Sequence, residues 1–288
     1  MAVLVATHSG PFHADDVMAV ALVRVFHDAD AEVIRTRDSG RIAAADIVVD
    51  VGGIYDPPAG RFDHHQAAYT GPLSAAGMVL RWLTDEGRID PGLSAELSAG
   101  AMEYLDDVDN GRRPPDAAVP CFPRIVEALN QPAESEDEFD RAFYGAVGFA
   151  AAWLHGVAAG HRRVLAAGAE VRAAMAAAEA AGSNLLEFER YIKWKEPYFD
   201  AGGEEHRTEL VLFPGTDGSW RVVCIPPERG SFAQKRSLPE PWAGLTGDTL
   251  AAKTGVPGSV FCHKNRFIAV FEDKAQALEA LERGGMLT

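Results

Sequence analysis

The sequence predicts an α/β protein of two domains, and two observations lead to this prediction. In residues 1–185 short apolar strands are separated by helical segments, a pattern typical of a parallel sheet covered by helices on both faces. From about residue 185 the pattern changes to strands separated by Pro- and Gly-containing turns, which predicts a smaller α+β domain over residues 186–288. A length of 288 residues suits two domains of this kind.

The N-terminal elements follow from the apolar pattern. A buried strand is expected at residues 3–6, where VLVA precedes the polar stretch THSGPFHADD, and a mostly apolar helix is expected at residues 16–26. Further strands are expected at residues 32–36 and 46–51. Helices should then occupy residues 74 to about 129 and 138–181, the latter ending in an alanine-rich run. Whether ESEDEFD begins this last helix or forms an acidic loop is open.

The C-terminal elements are shorter. Four strands and a final helix are expected at residues 208–213, 220–225, 259–262, 265–271 and 274–282. No stretch is expected to supply the roughly 20 apolar residues of a membrane span, and a strand rather than a signal peptide is expected at the start of the sequence. Three separated cysteines form no C-x-x-C motif. We therefore expect a cytoplasmic protein without membrane contact.

The charge is strongly negative and unevenly distributed. The net charge is −15, with 14 basic and 29 acidic residues in residues 1–189 and 13 of each in residues 190–288. Such a surface repels long polyanions, so a phosphate-bearing substrate would need bound cations or a local basic patch.

Histidines and carboxylates occur in four clusters, which are His8, His13, Asp15 and Asp16; Asp50; Asp63, His64 and His65; and Asp106, Asp107 and Asp109. Ligands of open α/β sheets bind at the carboxyl ends of strands, where His8 and Asp50 are expected. Taken alone, Asp16 could stabilise a helix N-terminus, and Asp109-Asn110-Gly111 is a turn signal. Together, imidazoles and carboxylates predict a site for Mn²⁺, Zn²⁺ or Fe²⁺.

The order of these motifs carries a resemblance. TH…HADD, VVDVGG, FDHHQ and LDDVDNG resemble the DHH phosphoesterase superfamily, which is named for its Asp-His-His motif. IRTRD, VVDVGGIYDP, RFDHHQ, SAAG, GSFAQKRSLPEPWAGL and TGVPGSVFCHKNRFIAVF are similar to the melanocyte proliferating gene family. This similarity covers nearly the whole chain. Members of that family are metal-dependent hydrolases, and some eukaryotic members are 3′–5′ RNA exonucleases.

The resemblance implies a DHH-type catalytic domain with two divalent ions, Mn²⁺ first and Mg²⁺ or Zn²⁺ as alternatives. The implied ligands are His8, His13, Asp15, Asp50, His64 and Asp106, with Asp109 as the second choice for the last position. Asp50 would bridge the ions, His65 would contact the substrate phosphate and Asp63 would orient the neighbouring imidazole. Two ions with three aspartates leave a charge of about +1, which would attract phosphate, and such a pair can activate a water.

The C-terminal domain would contribute phosphate-binding groups. The resemblance assigns this role to Lys235, Arg236 and His263, whereas Ala269-Val270 replaces a Gly-Gly pair of related proteins. Trp194, in YIKWKEP, could stack on a nucleobase or pack between domains, and both interpretations remain open.

The favoured function is a two-metal phosphodiester hydrolase, a 3′–5′ exonuclease on RNA ends or short oligonucleotides. A pyrophosphatase-like phosphoanhydride hydrolase and a catalytically silent, metal-stabilised nucleotide-binding protein are the alternatives. The sequence lacks G-x-S-x-G and lacks G-x-G-x-x-G after its first strand, which argues against a serine hydrolase and a Rossmann dehydrogenase. A homodimer is compatible with the sequence.

Overall fold

A computed structural model describes residues 2–288. The chain forms two compact units that divide within one long helix, α7 (Glu136–Ala181): the first unit ends at Ala159, and the second comprises Gly160–Thr288. The sequence-based boundary after residue 185 lies just beyond the end of this helix. The division between units falls earlier because apolar residues in the C-terminal half of α7, such as Val171 and Met175, belong to a core of the second unit.

The first unit contains a five-stranded sheet in the order β2-β1-β3-β5-β4. Its strands are β1 (Leu4–Thr7), β2 (Glu32–Arg35), β3 (Ile47–Val49), β4 (Tyr55–Asp56) and β5 (Arg61–Phe62). β2, β1 and β3 correspond to the three predicted strands and pair in parallel, as the sequence predicts; β5, which was not predicted, also pairs in parallel with β3, whereas β4 pairs antiparallel with β5. The sheet is mixed because only a 3-10 turn, Pro57–Ala59, and Gly60 join β4 to β5, too short for the crossover that parallel strands need.

The first helix is buried on all sides. In α1 (Ala14–Phe26) the residues from Ala14 to Val23 are all buried, which explains why the predicted segment is apolar without a polar face. The helix packs against α3 (Ala75–Asp85), and both helices belong to the main core with Phe62 and Phe143. This packing fixes the N-terminal turn of α1 above the sheet edge.

The remaining helices of this unit are α2 (Ser39–Ala44), α4 (Pro91–Leu97), α5 (Glu103–Asp109) and α6 (Phe122–Asn130), with a π-helical turn, Ser98–Met102, between α4 and α5. The stretch ESEDEFD, left open by the sequence, begins α7. Its first turn carries Glu136, Asp137 and Glu138, and negative charges are favourable at a helix N-terminus.

α7 is, among residues 2–288, the one helix long and apolar enough to cross a membrane by length and composition. Core helices of soluble proteins pass the same test, and one third of its most apolar window is buried. In the first unit its buried residues follow the i, i+3, i+4, i+7 spacing of one helix face, at Phe143, Ala146, Val147, Ala150, Leu154 and Ala158. The burial of one face of α7 in a protein core explains its apolar composition. This helix was not identified from the sequence as a stretch of membrane-spanning length.

The second unit contains a sheet in the order β6-β7-β8-β10-β9. Its strands are β6 (Leu185–Glu187), β7 (Leu210–Pro214), β8 (Trp220–Cys224), β9 (Ser259–Cys262) and β10 (Ile268–Phe271), and its short helices are α8 (Lys195–Asp200), α9 (Gly247–Thr254) and α10 (Lys274–Arg283). β6 and β7 are parallel, and the other pairs are antiparallel. Leu210 and Leu212 enter one core and Val211 and Phe213 another, so both faces of the sheet are covered.

Candidate metal centre

The carboxyl ends of the first sheet present most of the histidines and carboxylates that the sequence groups together. His8 directly follows β1, Asp50 directly follows β3, and Asp63, His64 and His65 directly follow β5. Because these strands are parallel neighbours, their carboxyl ends lie at the same edge. The first turn of α1 brings Asp15 against this group.

Asp50 lies at the centre of the cluster. Its Oδ2 is 3.3 Å from Nε2 of His8, whereas its Oδ1 is 3.5 Å from Nε2 of His64 and 3.3 Å from Nδ1 of His65, so the two oxygens face different histidines. The backbone of Asp50 has a φ of 51°, in the left-handed region that Asp adopts more readily than most residues. Its N–H donates to the carbonyl of Phe62 at 3.0 Å, which holds the conformation in place. Backbone strain of this kind orients side chains at functional sites.

His64 lies against a second set of carboxylates. Its Nε2 is 3.0 Å from Oδ2 of Asp109 and 3.8 Å from Oδ2 of Asp15. Its Nδ1 is 3.1 Å from Oδ1 of Asn110, whose Nδ2 donates to the carbonyl of Asp106 at 2.9 Å. Because the amide is fixed in this orientation, its oxygen accepts the Nδ1 proton and leaves Nε2 of His64 as the ligand atom. Asn110, which the sequence marked only as part of a turn, is therefore a positioning residue.

His8 and His13 lie on the other side of Asp50. Their ring centroids are 5.5 Å apart, with His8 buried and His13 exposed. Nε2 of His8 is also 3.3 Å from Oδ2 of Asp16. The other oxygen of Asp16 accepts the backbone N–H of His13 at 3.0 Å, as in a helix capping box. Asp16 thus caps α1, the role considered for it from sequence, and also contacts the cluster.

Asp63 orients His65. Oδ1 of Asp63 accepts hydrogen bonds from Nδ1 of His65 at 2.8 Å and from its backbone N–H at 3.0 Å. Oδ2 of Asp63 accepts the N–H of Gly53 at 2.6 Å. The carboxylate is buried, whereas the side chain of His65 is 62% exposed. Since Nδ1 is committed to Asp63, Nε2 of His65 is the atom that can act on a ligand.

The residues present fit a divalent cation. Among the described residues three groups bring ligand atoms within 4.8 Å of one another, namely His8-His13-Asp50, Asp50-His64-His65 and Asp15-His64-Asp109. Although these atoms lie close to one another, five buried atoms of the cluster have no partner in hydrogen-bond geometry. They are Nε2 of His8, Oδ1 of Asp15, Oδ2 of Asp16, Oδ1 of Asp50 and Nε2 of His64. Leaving such an atom unpaired costs about 1–3 kcal/mol, so a concentration of them at one place indicates a common partner.

The charges of the cluster shift one another's protonation. Burial, with the nearby charges of Asp50 and Asp109, raises the pKa of Asp15 well above its usual range. Burial also raises the pKa of Asp16 to about 7. Burial opposes ionisation of Asp50, but contacts with His64 and His8 lower its pKa to about 2. Although burial acts in the opposite direction, Asp109 and Asp50 raise the pKa of His64 to about 10. A divalent cation would neutralise this excess of carboxylate charge.

Asp106, the first choice from the fourth motif, lies outside these three groups. Its Oδ1 accepts hydrogen bonds from the hydroxyl of Ser74 at 2.7 Å and from the backbone N–H of Ser74 at 2.9 Å. The absence of a side chain at Gly77 leaves room for its carboxylate. Asp109, three residues further along α5, takes the position beside His64. Residues three apart share a helix face, which is why the sequence left both alternatives open.

Two cavities border the cluster, and His13 and His65 line both. One cavity of about 330 Å³ is also lined by Arg37, Gly52 and Gly53. The other has a volume of about 530 Å³, and its mostly apolar walls include Phe12, Leu105, Val108, Pro115, Pro123 and Val126. Volumes of about 300–1,000 Å³ are usual for small-molecule sites. The cluster is therefore reached from a polar side and from an apolar side.

The phosphate-binding residues expected in the second unit are engaged within that unit. Nζ of Lys235 donates to the hydroxyl of Tyr198 at 3.1 Å and to two backbone carbonyls at 2.6 and 2.7 Å, which uses all three of its protons. Arg236 pairs with Glu209 at 3.4 Å and donates to a backbone carbonyl at 2.6 Å. Both side chains thus connect their own segment to distant segments of the second unit.

The other residues singled out in this unit also pack locally. The ring of His263 lies 4.5 Å from that of Phe267. Trp194 is 4% exposed and belongs to a core cluster, whereas Tyr191 of the same stretch is 51% exposed. Ala269-Val270 lies in β10 and pairs with strands on both sides. Packing rather than base stacking is what the structure shows for Trp194.

The comparisons with known proteins agree over almost the entire chain. Residues 4–283 match the Uncharacterised protein family (UPF0160). The MYG1 protein of Chlamydia muridarum (strain MoPn / Nigg) is 38% identical over 279 residues, which cover 96% of this chain and 94% of the relative. The MYG1 exonuclease of Homo sapiens is 31% identical over 318 residues, covering 95% and 83%, and that of Mus musculus is 30% identical over 324 residues, covering 95% and 82%. The chain belongs to the UPF0160 family, together with these MYG1 proteins.

Proposed function

We propose that this protein is a divalent-metal-dependent phosphodiester hydrolase, a cytoplasmic 3′–5′ exonuclease that acts on RNA ends or short oligonucleotides. The observation that carries the proposal is the convergence of unpartnered, buried histidine and aspartate atoms on Asp50, between two cavities. Mammalian relatives named MYG1 exonuclease support nuclease chemistry. The motif order that resembles DHH phosphoesterases supports a metal-dependent mechanism.

Two sets of side chains would hold the cations. His8, His13 and one oxygen of Asp50 form the first set, and three further residues form the second, namely Asp15, His64 and Asp109. The carboxylate of Asp50 suits a bridging role because its two oxygens face histidines from different sets. In this proposal Asp109 rather than Asp106 is the ligand of the fourth motif. Bound divalent ions, Mn²⁺ by preference with Mg²⁺ or Zn²⁺ as alternatives, would supply water activation and charge neutralisation at phosphate.

His65 would contact the substrate directly, and Asp63 would act through His65. Asp63 accepts the Nδ1 proton of His65 and so fixes the orientation of the ring. The imidazolium form of His65 would donate from Nε2 to a non-bridging oxygen of the phosphate, since this ring lines both cavities. A charge-assisted hydrogen bond of this kind strengthens as negative charge develops in the transition state.

The apolar cavity favours a nucleotide over pyrophosphate as substrate. A nucleoside could fill the cavity of about 530 Å³ and contact its apolar walls, whereas pyrophosphate would leave these walls uncovered. Residues 1–159 carry 25 acidic and 11 basic residues, so a long polyanion would be repelled by most of this surface. Both observations support a short oligonucleotide or a strand end.

The decisive experiment is a substrate panel with metal-stripped protein. Adding Mn²⁺ should start hydrolysis of a labelled short RNA and of a dinucleotide, with little release of phosphate from pyrophosphate. Asp109→Asn should abolish this activity, whereas Asp107→Asn, a matched change outside the three ligand groups, should retain it. Hydrolysis of pyrophosphate alone would select the phosphoanhydride alternative. Thermal stabilisation by Mn²⁺ without hydrolysis of any substrate would select the catalytically silent one.

A further inference from the structure

Arg37 lies at the same sheet edge as the metal-binding residues. β2 is the parallel neighbour of β1, and Arg37 follows the end of β2 by two residues. The carboxyl ends of three adjacent strands therefore supply Arg37, His8 and Asp50. Nη2 of Arg37 is 3.3 Å from Nδ1 of His8, and the side chain lines the polar cavity with His65.

The backbone on both sides of Arg37 is held in place. The N–H of Thr36 donates to the carbonyl of Thr7 at 2.7 Å, and the N–H of Asp38 donates to the hydroxyl of Thr36 at 3.1 Å. The carboxylate of Asp38 in turn accepts the N–H of Arg41 at 2.8 Å and caps α2. A long side chain is thus presented from a fixed base, which reduces the entropy lost when it binds a ligand.

Arg37 forms no ion pair with any described carboxylate, although Asp50 and Asp63 line the same cavity. Of the described residues that line the polar cavity, Arg37 is the one arginine or lysine, and no described carboxylate lies within 4.0 Å of its guanidinium. Arg35, two residues earlier, is buried instead and pairs with Asp140 at 2.8 Å. We propose that Arg37 binds a phosphate group of the substrate beside the metal ligands, so that the first unit has its own phosphate subsite. The planar guanidinium matches the oxygens of a phosphate.

The contact with His8 links this subsite to the ligand set. When Arg37 donates to Nδ1 of His8, the ring proton must lie on Nε2, the atom that faces Asp50. When Nε2 serves as a ligand atom, the proton lies on Nδ1, where the carbonyl of Ser9 can accept it at 3.3 Å, and Arg37 can no longer donate to the ring. The guanidinium is then free for phosphate. This proposal rests on the proposed function, because it assigns the group that the substrate phosphate would meet.

Calorimetric titration of the Mn²⁺-loaded protein tests the subsite. The ligands are adenosine 5′-monophosphate, inorganic phosphate and adenosine, none of which is a phosphodiester. Arg37→Gln should weaken binding of both phosphate-bearing ligands by about tenfold and leave adenosine unchanged, as expected for one charge-assisted hydrogen bond. Arg41→Gln, the same change at an exposed position outside the cavity, should leave all three affinities unchanged. A Mn²⁺ titration of each variant should give wild-type affinity.

The outcomes separate this inference from the proposed function. If Arg37→Gln binds adenosine 5′-monophosphate as the wild type does, or loses adenosine equally, the subsite is refuted, even if the wild type hydrolyses RNA. If Arg37→Gln loses phosphate affinity while the wild type hydrolyses no phosphodiester, the proposed function fails and the subsite stands.

Discussion

Replacement of Asp50 by asparagine perturbs the centre with the least change of shape. Asparagine keeps the size of the side chain and, like aspartate, tolerates the left-handed backbone of φ 51° found here. Alanine would add a backbone cost of about 1 kcal/mol at this conformation. Asp50→Asn therefore isolates the effect of the carboxylate charge on stability, metal binding and hydrolysis.

Two opposing effects set the stability of metal-free Asp50→Asn. Contacts with His64 and His8 lower the pKa of Asp50 from 3.8 to about 2, although burial acts in the opposite direction. Loss of these contacts lowers the free energy of unfolding by roughly 2 kcal/mol at neutral pH. This contribution is present above pH 3.8 and is lost as pH falls through about 2. The variant also removes a charge that raises the pKa values of Asp15 and Asp16. We therefore expect a net loss smaller than about 2 kcal/mol.

Mn²⁺ should separate the variant from the wild type much more clearly. At a concentration about 100 times its Kd, Mn²⁺ stabilises the wild type by about 2.7 kcal/mol, which raises Tm by roughly 5–10 °C for units of this size. Asp50→Asn should show little or no rise, since the shared ligand is lost, and should hydrolyse no RNA. Thermal unfolding followed by circular dichroism with and without Mn²⁺ measures this, with Asp107→Asn as control. A rise of wild-type size in Asp50→Asn would refute a metal centre at this residue.

Three further substitutions test the surroundings of the cluster. Asn110→Leu removes the partner that fixes its histidine, and Mn²⁺ affinity should fall by about 10- to 100-fold in a titration; wild-type affinity would contradict the positioning role. Gly77→Ala places a Cβ against the Asp106 carboxylate and should cost about 1–3 kcal/mol, whereas Gly145→Ala, with open space around it, should be neutral or stabilising by up to about 1 kcal/mol; equal Tm values would contradict this packing. Asp15→Asn should stabilise the metal-free protein at pH 7, because burial raises the pKa of Asp15 and disfavours its ionised form. This gain in the free energy of unfolding should vanish below pH 3.8, where Asp15 is protonated in both the folded and the unfolded state. Urea unfolding of the metal-free protein at both pH values measures it, and an equal gain at the two pH values would contradict the prediction.

The longer elements of the fold could be predicted from the local pattern of residues. The buried runs of β1 and α1 were located to within about two residues, because burial on all sides gives an unbroken apolar stretch. β4 and β5 have two residues each, which is too short for any periodicity, although β5 delivers the Asp-His-His triplet. The antiparallel edge of the sheet was missed for the same reason.

The sequence predicted which residue types form the candidate site, but it did not predict which residues contact one another there. Predicted strand ends marked His8 and Asp50, since parallel strands bring their carboxyl ends together, and the Asp-His-His motif marked His64. Asp106 is held away from the cluster by its hydrogen bond with Ser74, which leaves Asp109 beside His64. The hydrogen bond joins residues 32 positions apart, so no local sequence pattern predicts it. Asn110 and Arg37 were missed as well, because a turn asparagine and a surface arginine look ordinary until their neighbours are known.

The placement of charge explains how an acidic unit could act on phosphate. With cations bound, the proposed ligand carboxylates of Asp15, Asp50 and Asp109 would contribute three negative charges against the four positive charges of two divalent ions, and the guanidinium of Arg37 would add one more at the polar cavity. At physiological ionic strength that positive potential extends only about 8 Å. A phosphate within the cavities would therefore be attracted, whereas the distant part of a long strand would meet the acidic surface of residues 1–159. This asymmetry favours removal of terminal nucleotides over cleavage within a long strand.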